Sequence, residues 1–494
     1  MKQIKYKSTR GGQKNISPSQ AIIQGIASDG GLFVPEEMPK LEYSLEKLKD
    51  MNYQKLAYTI MQHFLTDFTE DELRECVNKA YDTKFDTPKI APVVKKDGVY
   101  FLELFHGPTL AFKDMALSIL PYLLKTAAKK LNIEKEIVIL TATSGDTGKA
   151  ALEGFANVEG TKIIVFFPQD GVSEIQKRQM TTQTGNNTYV IGIEGNFDDA
   201  QNGVKEIFGD KEFNKKLNEN NYMLSSANSI NIGRLVPQVV YYFYAYFQMV
   251  KEKEISLGDI FNVVVPTGNF GNILAAYYAK QMGLPVGKLI CASNDNKVLY
   301  DFFNTGKYDK DREFILTISP SMDILISSNL ERLIFKIAGE DTNKTKELME
   351  TLKVKGNYEI TNEMKERLGD FYGGFATQEE TLKRIKELFE KTGYLIDTHT
   401  AVAYAVYKDY VSKTKDMTKT VIASTASPYK FTTSVMGAID KKYKDYSDFE
   451  LIEKMNELTK KDIPKGIKDI DKRPILHNKV CKKNDMKKVV EEIL

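Results

Sequence analysis

Apolar positions follow two rhythms along this chain, and the change comes near residue 96. Before it they recur at helical spacing. Ser17-Pro18-Ser19-Gln20 reads as a cap for a helix holding Ala21, Ile22, Ile23 and Ile26, with Gly30-Gly31 closing it. Further helices are predicted over 44–50, over 53–65 and from Thr69 to Tyr81, the last with Asp71 and Glu72 in its first turn. Beyond 96, short runs rich in β-branched and aromatic residues alternate with helical stretches. Strands are predicted over 99–104, 136–141, 162–167, 188–193, 261–265, 289–293 and 420–423. Apolar strands alternating with helices imply βαβ units and mostly parallel sheet.

Between about 300 and 390 the alternation breaks. That segment is charged and helix-prone, and reads as an insertion or a lobe packed on the main sheet. Near the end, Phe449, Leu451, Ile452, Met455 and Leu458 recur at helical spacing and predict terminal helices. The division expected is a helical N-terminal domain over 1–95, α/β domains over 96–255 and 256–440, and C-terminal helices over 441–494. With 494 residues the chain is too long for one compact core, which agrees with several domains.

Charge and composition narrow the function classes. The 69 basic and 67 acidic residues leave a net charge of +2, no electrostatic footprint for nucleic acid or an anionic membrane. The most apolar long stretch, 235–250, is short for a membrane span and holds Pro237, Gln238 and Gln248, so a buried helix is expected. Residues 1–12 are polar and lack the apolar core of a signal peptide. Cys76, Cys291 and Cys481 are few, odd in number and far apart, which suggests a reducing, cytoplasmic setting. Neither these cysteines nor the four histidines show metal-ligand spacing, so no metal site is expected.

Candidate chemistry lies at the loops. Lys113 follows a Gly107-Pro108 turn at the predicted start of a helix, between Phe112 and Asp114. The helix dipole and apolar neighbours disfavour a cation there, and such a lysine titrates low enough to serve as a neutral amine for a Schiff base. A single lysine among 69 basic residues is otherwise read as a solvated surface charge. The strand-to-helix loop Thr267-Gly268-Asn269-Phe270-Gly271-Asn272 offers two glycines and no acidic side chain, as a phosphate cradle requires; Gly-Asn on its own equally marks a tight turn. The loop Ser144-Gly145-Asp146-Thr147-Gly148 adds hydroxyls and one carboxylate. Neither a Walker A motif nor a strand-linked G-x-G-x-x-G is present. A candidate amine and a phosphate loop together point to pyridoxal phosphate.

The motifs carry a resemblance over nearly the whole chain. They include Tyr6 to Gly11, Asp29 to Pro35, His106 to Asp114, Thr143 to Gly148, Asn228 to Gln238, Pro266 to Asn272, Asp397 to Val402 and Ser424 to Phe431. In these the chain resembles the threonine synthases in their long form. The resemblance implies an α/β fold of type II among pyridoxal-phosphate enzymes, with open, mostly parallel sheets in two domains, a helical N-terminal domain and a helix-rich insertion. It implies a phospho-lyase acting on O-phospho-L-homoserine to give L-threonine, as a monomer or homodimer.

By the same resemblance Lys113 carries the cofactor and acts as the catalytic base. Gly268, Asn269, Phe270, Gly271 and Asn272 surround its phosphate, and Thr425 meets the pyridine nitrogen. Asn228 and Arg234 hold the substrate phosphate, Ser144 and Thr147 line the substrate side, and Lys430 is a further phosphate candidate. Asp146 stands where related enzymes often have an Asn that donates to the cofactor's phenolate oxygen, and a carboxylate donates only when protonated. Ser427 stands where many members carry His. Two competing readings are a serine or threonine dehydratase, which needs no second phosphate site, and a binding protein without catalysis.

Overall fold

The strand Phe261–Pro266 is buried at every position, as its almost wholly apolar sequence requires. In the computed structural model, which describes residues 3–143, 145–169 and 172–494 except the side chain of Asp198, this strand lies inside a six-stranded sheet. The sheet order is Phe371–Phe375, Val286–Ser293, Phe261–Pro266, Thr420–Ser424, Val99–Glu103 and Val93–Lys96. Neighbours run parallel except the last pair, which is an antiparallel hairpin. A second sheet, wholly parallel, has the order Val480–Lys482, Thr188–Glu194, Thr161–Pro168, Glu136–Ala142 and Tyr222–Ser225.

The helix Ile232–Lys251 is buried along nearly its whole length. It packs against Gly271–Met282 on one side and against Tyr53–Met61 of the N-terminal segment on another. A helix apolar all round must be enclosed on all sides, and this one is. No described helix is long and apolar enough to cross a membrane. The N-terminal segment adds a small hairpin, Tyr6–Ser8 with Phe33–Pro35, and helices Pro18–Gln24, Leu45–Leu48, Tyr53–Met61 and Glu70–Ala80.

Four expectations need correction. The strand Val99–Glu103, expected with the 96–255 unit, pairs with Thr420–Ser424 in the other sheet. A strand buried on both faces takes whichever neighbour completes its hydrogen-bond ladder, and sequence distance is no guide to it. The segment expected over 300–390 as an insertion or a lobe packed on the main sheet contributes Phe371–Phe375, an edge strand of the six-stranded sheet itself. The C-terminal segment is not purely helical, since Val480–Lys482 extends the other sheet. The first helix ends at Gly25, which takes φ 69°, well before Gly30-Gly31.

Candidate active site

Lys113 stands at the N-cap of a four-residue helix, Asp114–Leu117. The turn before it closes on Asp114, whose carboxylate accepts from the Thr109 N–H at 2.8 Å and from the Thr109 hydroxyl. A Cβ on Gly107 would sit 2.5 Å from that carboxylate, so the turn closes only around glycine. The stretch is then fixed to the loop after Thr420–Ser424: Phe112 N–H donates to Thr425 O at 2.8 Å, Ser427 N–H donates to Leu110 O at 3.0 Å, and Ala111 bridges Ala426. Lys113 and Thr425 are thereby brought together from opposite ends of the chain. The Thr425 side chain is buried and its hydroxyl takes no hydrogen bond among the described residues.

The Lys113 amine lies 3.4 Å from Ser321 Oγ and 3.7 Å from Asp146 Oδ2. Burial lowers its pKa, and the charges of Lys430 and Arg234 lower it further against the opposing pull of Asp146. The helix after it is too short for its dipole to supply the expected effect, so burial and like charges take that part. Asp146 begins the helix Asp146–Phe155 and is itself buried. Burial raises its pKa, but Lys430 and Lys113 outweigh that and hold it well below the usual carboxylate range. Its oxygens meet Lys430 Nζ at 2.8 Å, Gln176 Nε2 at 2.8 Å and the Ser321 hydroxyl at 3.2 Å. As an ionised carboxylate Asp146 accepts hydrogen bonds and has no proton to donate.

Lys430 is wholly enclosed. Besides Asp146 it donates to Thr109 O at 2.9 Å and faces Gln179 Oε1 at 3.5 Å. Its three donors therefore face acceptors within the protein. Arg234 is different. It lies in the first turn of Ile232–Lys251, 2% exposed, with no carboxylate in ion-pair distance among the described residues. One Nη donates to Ala227 O, while Nε is buried without a partner. Burial pushes its pKa down to about 10. A guanidinium so enclosed, at the end of a helix where cations are disfavoured, suits an incoming anion.

The loop at Gly268 brings a second set of donors. Phe270 takes the left-handed conformation, φ 64°, and opens the helix Gly271–Met282. Among the described residues none of the N–H groups from Gly268 to Asn272 donates to another backbone group. Asn272 accepts from the hydroxyls of Tyr241 and Tyr242 through Oδ1, which leaves its buried Nδ2 without a partner. A Cβ at Gly268 would meet Ser321 O at 2.6 Å, so the loop and the Ser321 turn touch backbone to backbone. Asn269 is exposed. Asn228 is also exposed, with Oδ1 accepting from Ser229 at 3.4 Å. Thr147 is half-buried in the first turn of Asp146–Phe155 with a free hydroxyl among the described residues, and Ser144 lies outside them. No described group of three or more His, Cys, Asp or Glu could hold a metal ion.

These residues fit pyridoxal phosphate: a buried amine, a loop of unpaired N–H groups with an orphaned amide, and a free hydroxyl on the segment bonded to that of the amine. The comparisons agree with that fit. Family models match in succession along the chain, "Threonine synthase N terminus" over residues 5–81, "Pyridoxal-phosphate dependent enzyme" over 83–425 and "Threonine synthase, C-terminal" over 400–492. The chain belongs to the threonine synthase family. Threonine synthase of Schizosaccharomyces pombe is 39% identical over 90% of this chain and 91% of its own length. The human protein Threonine synthase-like 1 is 42% identical over 85% of this chain, which spans 58% of that longer protein. Among solved structures, threonine synthase from yeast superposes with a TM-score of 0.88 at 34% identity, covering 99% of this chain and 98% of that one. PLP-bound threonine synthase from Brucella melitensis gives 0.87 at 36% identity with the same coverage. The family places this chain among the type II pyridoxal-phosphate enzymes, and it is a lyase of that class.

Within this family member, three site residues escaped the sequence reading. Ser321 touches both Lys113 and Asp146 from the segment between 300 and 390. His399 accepts the Ser321 N–H at Nε2, 3.1 Å, and so carries its proton on Nδ1, 2.8 Å from Asp397. Gln176 completes the shell of Asp146. The Asp397-Thr398-His399-Thr400 run was the one available signal. Ser321, in a stretch with no periodicity, offered none.

Proposed function

We propose that the protein is a threonine synthase that converts O-phospho-L-homoserine and water to L-threonine and phosphate, the last step of threonine biosynthesis. Pyridoxal phosphate bound at Lys113 supplies the electron-withdrawing ring that stabilises negative charge developing at the substrate's Cα and Cβ. In this reading the Gly268–Asn272 loop holds the cofactor phosphate on its free N–H groups and the Asn272 amide, and Thr425 faces the ring nitrogen as a neutral hydroxyl. Once freed from the cofactor, Lys113 is the base that takes protons from Cα and then Cβ, aided by the burial that favours its neutral amine. Asp146 steadies the resulting ammonium, with Ser321 between them.

The observation that carries the proposal is Arg234, a buried guanidinium with an unbonded Nε and no carboxylate partner among the described residues. A dehydratase needs no such second anion site. Arg234 would grip the substrate phosphate and receive it as it leaves Cγ, with Asn228 and Thr147 at the rim. Replacing Arg234 with Ala is expected to raise KM for O-phospho-L-homoserine by about tenfold or more while cofactor absorbance stays intact. Unchanged kinetics would remove Arg234 from the site. Free thiols at Cys76, Cys291 and Cys481 support a cytoplasmic setting, and the proposed assembly is a monomer or homodimer, which sedimentation distinguishes.

A further inference from the structure

Arg332 is enclosed as fully as Arg234, at 2% exposure, and it too has no carboxylate in ion-pair distance among the described residues. Its donors go to three separate parts of the chain. Nε donates to Phe33 O at 2.9 Å, Nη2 donates to Ile230 O at 2.6 Å, and Nη1 donates to Asn329 Oδ1. Phe33 belongs to the N-terminal hairpin, and Ile230 lies between Asn228 and Arg234. Asn329 in turn donates through Nδ2 to Asn269 O at 2.9 Å and through its own N–H to the same oxygen at 3.1 Å. It also reaches Ser229 Oγ at 3.4 Å.

We propose that Arg332 is a positioning residue that sets the two anion-binding segments, Asn228–Arg234 and Gly268–Asn272, relative to each other. Enclosing a guanidinium against three neutral acceptors is costly, and an apolar residue of similar volume would fill the same space without desolvating a charge. What an apolar residue lacks is the planar fork that reaches three separate segments in fixed directions. Asn329 carries one arm of that fork to the carbonyl of Asn269, next to Gly268, whose own carbonyl accepts from Ser327 at 2.7 Å. Pinning the carbonyls on one side of the loop turns the neighbouring N–H groups the other way. The other arm fixes Ile230 at the turn that leads into the helix of Arg234. The segment between 300 and 390 thereby holds the brace between the two phosphate sites, with the N-terminal hairpin as its third support.

The proposal rests on the threonine synthase reading only for the identity of the second anion, and binding alone tests it. Pyridoxal phosphate affinity is measured on the cofactor-free protein by fluorescence, and inorganic phosphate affinity on the holoprotein by calorimetry. In Arg332→Met both are expected to weaken by about tenfold, since Ile230 loses its bond to the guanidinium and Asn329, which holds Asn269, loses its own. For O-phospho-L-homoserine, KM is expected to rise with kcat nearly kept, whereas a fold defect would lower the active fraction and kcat. If Arg332→Met does not fold, Asn329→Ala serves, with cofactor affinity expected to fall about fivefold and phosphate affinity to change less. A folded Arg332→Met in which either affinity is unchanged would overturn the proposal, as would full cofactor affinity in Asn329→Ala. Should both ligands bind as expected while O-phospho-L-homoserine is not turned over, the substrate assignment fails and the brace stands.

Discussion

Asp146 shows how one side chain sets the character of this site. It faces two buried amines, Lys430 and Lys113, and pairs closely with only the first, at 2.8 Å against 3.7 Å. Lys430 therefore depends on it. Substituting Asp146 by Asn is expected to destabilise the cofactor-free protein by about 3–5 kcal/mol in urea unfolding, because it leaves an enclosed ammonium without its counter-charge. Adding Lys430→Met should recover most of the loss. His106 behaves in the opposite sense. Burial alone would lower its pKa, but Asp86 and Glu103, on either side of the ring, raise it to about 9. A folded-state pKa above the unfolded value of about 6.5 stabilises below that pH, and the contribution is lost as pH rises through about 9. Melting temperature should therefore fall between these values in the native protein and fall less in His106→Gln.

At the scale of elements, the Gly268 loop and the Ser321 turn meet with no room for a methyl group. Gly268→Ala is expected to lower pyridoxal phosphate affinity by about tenfold or more, since either backbone must move, while melting temperature changes little. The sequence made this loop legible because two glycines and two asparagines follow an apolar strand, and strand and helix periods bracket it. Lys113 was legible from its Gly-Pro turn, and the strands 136–141, 162–167 and 261–265 from their apolar runs. Sheet membership was not, because Val99–Glu103 and Val480–Lys482 find their partners hundreds of residues away. The commitment of Lys430 to Asp146 and Thr109 likewise arises from folding and leaves no local pattern.

Across the whole molecule, the N-terminal segment is held to the segment between 300 and 390 by charge. Arg10 donates to both oxygens of Glu331, at 2.9 and 2.7 Å, and Lys7 meets Glu340 at 2.8 Å. Arg10→Ala leaves Glu331, 6% exposed, with Thr9 as its remaining partner among the described residues, and is expected to cost about 1–3 kcal/mol and to open residues 5–81 to limited proteolysis. The proposed chemistry is tested by product formation from O-phospho-L-homoserine by the holoprotein beside its Lys113→Ala variant. L-threonine and inorganic phosphate are expected in equal amounts from the native protein and neither from the variant. Phosphate without threonine, no turnover by the native protein, or undiminished turnover by Lys113→Ala would contradict that chemistry.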